Sequence, residues 1–127
     1  MGLIVLDTDI LIWLLRGRKD IKIKFIKVTK ETEGNLYITP IQIAEIYAGL
    51  KPKEKDLAER FIDSFYLLEI NAEVGKLAGE FMNRYRKSHS VEIADALIAA
   101  AVKINSCKLW TLNKKHYPML TEEEFFG

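Results

Sequence analysis

The stretch Leu3-Ile4-Val5-Leu6-Asp7-Thr8-Asp9-Ile10-Leu11-Ile12 decides how the rest of the chain is read. Its first four residues are branched and apolar, which predicts a short strand buried on both faces. The acids that follow end the strand. Asp9 is a natural N-cap for a helix over Ile10 to Leu15, and Gly17 terminates it. Working outward, residues 20–32 predict a basic amphipathic helix broken by Glu33-Gly34-Asn35. Leu36 to Thr39 predicts a second strand. Thr39-Pro40-Ile41-Gln42 then has Pro at the first helical position and capping-box spacing, starting a helix that runs to about Gly49. Pro52 opens another helix, to about Phe65. Leu67 to Ile70 predicts a third strand, and Asn71 caps a helix reaching about Lys87. Ser88-His89-Ser90 is expected as a loop, Val91 to Ile104 as an apolar helix and Leu109 to Thr111 as a fourth strand, with a helical turn from Asn113. Short buried strands alternating with helices imply an α/β fold with a parallel sheet and right-handed crossovers.

Composition bounds the function classes. The chain has 127 residues, with 19 Lys and Arg against 18 Asp and Glu for a formal charge of +1. At ~100–200 residues per domain, residues 1–127 are expected to form a single domain. The 49% hydrophobic and 29% charged fractions are those of a globular protein and exclude a disordered tail, a collagen-like repeat or a disulfide-dense scaffold. The single Cys107 excludes an internal disulfide and a cysteine-based zinc site. The longest clear apolar run, Ala96 to Val102, has seven residues, far short of the ~18–20 that a membrane span needs. Asp7 and Asp9 interrupt the apolar start, which lacks a basic leader and does not read as a signal peptide. A soluble cytoplasmic protein with no membrane partner is the expectation.

Parallel α/β sheets build their sites beyond the carboxyl ends of the strands, and three acids map there. Asp7 follows the first strand directly. Glu45 lies in the second turn of the helix leaving the second strand, among the uncharged neighbours Ile41, Gln42, Ala48 and Gly49. Asp95 is set in Val91 to Ile104, where eleven of fourteen residues are apolar, and shares its face with Val91, Ile98, Ala99 and Val102. That helix leads back to the fourth strand, so its early residues sit at the carboxyl edge. Asn113 lies just past the fourth strand at the same edge. Burying unpaired carboxylates costs several kcal/mol or more each, and converging ones raise each other's pKa. No Lys or Arg is evidently placed to neutralise them. A hard divalent cation, Mg²⁺ or Mn²⁺, resolves the conflict by taking oxygen ligands while keeping waters for substrate and nucleophile.

The opening stretch Leu3 to Ile12 resembles the first motif of PIN domains. Thr39-Pro40-Ile41-Gln42-Ile43-Ala44-Glu45-Ile46 fits the second, Ile93-Ala94-Asp95-Ala96-Leu97-Ile98-Ala99-Ala100-Ala101 the third, and Trp110-Thr111-Leu112-Asn113-Lys114-Lys115-His116-Tyr117 the closing one. Four motifs in order cover essentially the whole chain, whose size is similar to that of VapC-type toxins of prokaryotic toxin–antitoxin pairs. The resemblance implies a PIN-like three-layer fold, with a central parallel sheet of four to five short strands flanked by helices. It also implies a metal-dependent endoribonuclease that works as a homodimer and is held inactive by a cognate antitoxin. Carried over, Asp7, Glu45 and Asp95 are the metal-binding acids. The fourth position, often Asp in the family, is Asn113, an uncharged group suited to orienting a water or a phosphate. Thr8 and Thr111 are candidates for hydroxyl contacts, and Asp9 for a supporting or metal-binding part beside its capping one. The expected chemistry is attack of a metal-activated water on an RNA phosphodiester.

Overall neutrality hides local asymmetry. Residues 16–30 hold seven Lys or Arg and one acid, Asp20. Arg84, Arg86 and Lys87 with His89 form a second basic group, and Lys114, Lys115 and His116 a third beside Asn113. The last two flank the expected site and are candidates for RNA phosphate contacts, which position a backbone without reading sequence. His116 is a minor candidate for the same role, and His89 reads as a loop residue. Ile21, Phe25, Phe61 and Phe65 fit either a core or, in part, a groove for an antitoxin helix. Leu36 to Thr39 and the helix after it are candidates for a dimer interface. Two other function classes compete. One is a non-catalytic PIN-like module that binds RNA or a partner. The other is a haloacid-dehalogenase-type phosphatase, with Asp7 as nucleophile and Asp9 as acid, although Ile10-Leu11 stand where that pattern wants Gly-Thr.

Overall fold

The computed structural model describes residues 2–127. The elements in order are β1 (Ile4–Leu6), α1 (Thr8–Leu15), α2 (Lys19–Glu31), β2 (Leu36–Ile38), α3 (Pro40–Ala48), α4 (Lys55–Asp63), β3 (Tyr66–Leu67), α5 (Ala72–His89), α6 (Ile93–Ile104) and β4 (Lys108–Trp110). The sheet order is β3-β2-β1-β4, with every pairing parallel. A fifth, single-residue contribution comes from the bridge Leu109–Phe125. Parallel neighbours require long crossovers, and helices supply them.

The period-two alternation of the strands sorts their side chains onto two faces. Ile4, Leu6, Leu36, Ile38 and Trp110 pack with Ile10, Leu11, Ile21, Val28 and Ile46 from α1, α2 and α3. Val5 and Leu109 point the other way, into Val74, Ala78 and Phe81 of α5 and the small-residue face of α6. The result is three layers. β1 is central and all three of its residues are buried, as the opening run predicts. Phe25, Phe61 and Phe65 form a cluster of tilted and edge-on rings with centroids 5.0–6.4 Å apart. Phe65 is buried in the core, and Phe25 and Phe61 pack against it partly exposed.

Several boundaries differ from expectation, each for a physical reason. Asp7, not Asp9, is the N-cap of α1, because its carboxylate accepts from the Thr8 N–H and the helix starts two residues earlier. β3 is Tyr66–Leu67 rather than residues 67–70, and both of its residues are exposed, since it is the sheet edge. α5 continues through Ser88 and His89, ending where Ser90 turns left-handed (φ 52°), so these residues are not a loop. α6 starts at Ile93, after Val91 and Glu92 turn the chain, and the segment from Pro52 opens with a 3₁₀ turn before α4. Thr39 caps α3 through the expected box with Gln42. None of the helices among the described residues is long and apolar enough to cross a membrane.

Candidate active site

The carboxyl ends of β1 and β4, the first turns of α1 and α6, and the second turn of α3 converge on one polar edge. Asp7 is buried at the end of β1. Its backbone N–H continues the ladder to the Trp110 carbonyl at 2.9 Å, while its side chain accepts from Thr8 N at 2.8 Å and from the Thr111 hydroxyl at 2.7 Å. These bonds only partly offset burial and the neighbouring Asp9 charge, so the Asp7 carboxyl is pushed up to about 6.

Asp9 ties α1 to the loop after β4. One oxygen accepts from Ile10 N at 2.7 Å, and the other from Leu112 N at 3.0 Å and the Asn113 amide at 2.9 Å. Asn113, in the position the family often gives to Asp, is thus a donor to a carboxylate. A second carboxylate there would repel Asp9 instead of bonding to it. Thr111 helps fix this loop, accepting from Asn113 N at 3.0 Å.

On the facing side, Asp95 is half-buried near the start of α6. Burial raises its pKa, Glu45 and Glu92 add to that, and the His116 charge and the Tyr117 hydroxyl oppose it. Glu45 was expected on a buried, uncharged face and is instead exposed, because α3 buries Gln42 and Ile46 in its place. It is anchored by the Thr8 hydroxyl at 2.6 Å. A cleft of about 270 Å³ is lined by Glu45, His89, Ser90, Val91, Glu92, Asp95 and His116.

The acids therefore fall along one edge as two pairs, Asp9 with Asp7 and Asp95 with Glu45, each pair sensing its partner's charge, with Tyr117 between Asp7 and Asp95. They do not form a closed cage: no three acid, His or Cys side chains among the described residues group tightly enough to enclose an ion. The donor set is all hard oxygen, each carboxylate retains lone pairs, and the cleft admits water. That suits an ion of the Mg²⁺ type, which takes one or two carboxylates and completes its shell with waters and substrate phosphate.

Two residues at this edge went unassigned at the sequence level. Tyr117 is fully buried, and its hydroxyl donates to Asp95 Oδ1 at 3.3 Å and lies beside the Asp7 carboxylate. Burial and the Asp7 and Asp95 charges hold that hydroxyl far above its ordinary pKa, so it stays protonated. Gln42, also fully buried, donates to the Leu6 carbonyl at 3.0 Å and accepts from Thr39 N at 3.0 Å, fastening α3 to the end of β1. The capping box pointed to Gln42 as a helix signal only, and Tyr117 had no signal beyond being a tyrosine among apolar residues.

The basic candidates differ among themselves. Arg84, Arg86, Lys87, Lys115 and His116 are exposed, and His116 lines the cleft. Lys114 is instead turned to Glu122, 3.6 Å away, and over the Phe125 ring. In residues 16–30, Arg18 pairs with Asp20 and covers Trp13, and Lys24 lies over Trp110 and Phe126, so part of this stretch holds the fold.

The PIN-domain family profile matches residues 4–118. Ribonuclease VapC10 of Mycobacterium tuberculosis is 32% identical over 121 residues, covering 94% of this chain and 90% of the relative. Among solved structures, FitAcB from Neisseria gonorrhoeae is similar with a TM-score of 0.72 at 25% identity, over 91% of each chain. VapBC2 from Rickettsia felis, bound to a DNA fragment from its promoter, matches the fold with a TM-score of 0.76 at 18% identity, over 93% of this chain and 92% of that one. With a profile match over nearly its full length and a relative this similar, the chain belongs to the PIN-domain family.

Proposed function

We propose that this chain, acting as one domain, is a metal-dependent endoribonuclease and the toxin of a cytoplasmic toxin–antitoxin pair. The observation that carries this reading is the row of Asp7, Asp95 and Glu45 at one edge of the sheet, two of its members partly desolvated with no cationic side chain bonded to them. The similarity to Ribonuclease VapC10 and to toxin–antitoxin complexes supports the substrate class and the partner, a cognate antitoxin. A homodimer is the assembly this reading expects.

Asp7, Asp95 and Glu45 would hold Mg²⁺ or Mn²⁺, whose chemistry is to lower the pKa of a coordinated water and offset charge on the phosphoryl oxygens. Asp7 is oriented for this by Thr8 and Thr111, and Glu45 by the Thr8 hydroxyl. Asp9 and Asn113 fix the loop after β4. Arg84, Arg86, Lys87 and Lys115 would guide the RNA backbone to the cleft, and His116, which lines it, would make a minor phosphate contact. The phosphatase alternative loses its motif at Ile10-Leu11.

Digestion of total RNA with Mg²⁺ or Mn²⁺, mapped by its cleavage ends, tests the reading. Discrete ends that vanish with EDTA are expected. Bound but uncut RNA under every metal condition would favour the non-catalytic module instead.

A further inference from the structure

Tyr117 fills a place where phenylalanine would pack as well. Its ring is buried in the cluster of Val5, Leu109, Ala99 and Val102, and its backbone N–H is held by the Lys114 carbonyl at 2.9 Å. Only the hydroxyl leaves the apolar cluster, and it emerges between Asp7 and Asp95. Those carboxylates belong to different elements, one at the end of β1 and the other in the first turn of α6. Among the described residues, Tyr117 is the one hydrogen-bond partner of the Asp95 side chain. A hydroxyl carries a single proton and two lone pairs, so it serves one carboxylate at a time and leaves the remaining oxygens free. At 3.3 Å its bond to Asp95 is long for an O–H···O contact, compared with 2.7 Å from Thr111 to Asp7.

We propose that Tyr117 is a positioning residue that aligns Asp95 with Asp7 for divalent-cation binding through its buried hydroxyl. The proposal rests on the metal-centre reading above and goes beyond it by assigning the group that joins the β1 and α6 halves. Hydroxyls and carbonyls that orient ligating side chains typically contribute ~10–100-fold in metal affinity. Tyr117→Phe keeps the ring and removes the oxygen, so it should fold and bind Mn²⁺ ~10–100-fold more weakly. Excess Mn²⁺ should then restore most of its RNA cleavage, because the ligands themselves remain.

The test is calorimetric titration of Mn²⁺ into wild type, Tyr117→Phe and Asp95→Asn, with thermal melts of the metal-free proteins alongside. Strong binding by wild type, weak binding by Tyr117→Phe and loss in Asp95→Asn supports the proposal. Equal affinity in wild type and Tyr117→Phe, with Asp95→Asn impaired, overturns it while sparing the metal centre, even if Tyr117→Phe melts lower. No binding by wild type overturns both. If Tyr117→Phe does not fold, 3-fluorotyrosine placed at position 117 gives a ¹⁹F resonance that should shift on Mg²⁺ addition, and an unmoved resonance overturns the proposal.

Discussion

At the β1–β4 end of the acid row, Asp7 and Asp9 accept from the backbone of Thr8, Ile10 and Leu112 and from the side chains of Thr111 and Asn113. At the α3 end, Glu45 is exposed and has the Thr8 hydroxyl alone. The first end is built before any ligand arrives, and its rigidity has an electrostatic cost recorded in the raised Asp7 pKa. The second end is solvated and held by a single side-chain bond. A centre made this way has one densely bonded half that sets geometry and one exposed half with few partners. Substitutions at the fixed end should therefore hurt most.

Asp7→Asn leaves size and packing intact and removes the charge. Metal contributions to phosphoryl chemistry are worth several kcal/mol, so RNA cleavage in saturating Mn²⁺ should fall at least ~100-fold. The same substitution should raise the metal-free melting temperature at pH 7, since a neutral group suits that buried position. Loss of both activity and stability would point to a purely structural role for Asp7.

The second prediction concerns pH. Asp7, with its pKa pushed up to about 6 from 3.8, holds its proton more tightly folded than unfolded. Metal-free stability should thus fall as pH rises from ~4 to ~6, by up to ~3 kcal/mol from this group. Asp95, also raised, acts in the same direction. Glu124 acts oppositely: partial burial pushes it up, but Lys103 and Thr121 outweigh that and hold it low. Its contribution is lost only on acidification below the ordinary Glu range, so it does not set the slope between pH 5 and 7. Urea melts at pH 5 and 7 measure this. Mg²⁺ at 100 times its Kd should return ~2.7 kcal/mol at pH 7.

Asn113→Asp sharpens the comparison within the fixed end. It replaces a donor to Asp9 with a second carboxylate, and leaving such a partner unsatisfied costs ~1–3 kcal/mol. Denaturant midpoints should drop at pH 7 and recover in acid. An unchanged midpoint would mean that the Asn113–Asp9 bond does not hold the loop. Glu45→Gln, at the exposed end, should reduce cleavage by only ~10-fold, or ~1.4 kcal/mol, with no change in melting temperature. The smallest effects belong to the basic rim. Lys115→Ala should lower the salt dependence of RNA binding by ~1 counterion, and Lys114→Ala by less, because Lys114 already faces Glu122.

The same division explains what the sequence made legible. The strand of Leu3 to Leu6, the Thr39–Gln42 box and the placement of Asp7, Asp95 and Asn113 at one edge follow from local rules: apolar runs, caps and the polarity of parallel sheets. The cap of α1 shifted from Asp9 to Asp7 because two acids one residue apart satisfy the same pattern, and only the contact of Asp9 with the loop after β4 separates them. Glu45 was read as buried because its helical neighbours are uncharged, but α3 buries Gln42 and Ile46 in its place. Tyr117 was invisible as a functional residue, since its hydroxyl gains meaning only when the fold brings it to Asp95, 22 residues away in sequence.

The most direct measurement is single-turnover cleavage of an end-labelled RNA by wild type and Asp95→Asn, side by side in saturating Mn²⁺ and after EDTA. A metal centre at this edge predicts cleavage by wild type that EDTA abolishes and a rate at least ~100-fold lower for Asp95→Asn. Cleavage that survives EDTA, or an Asp95→Asn rate equal to wild type, would contradict it.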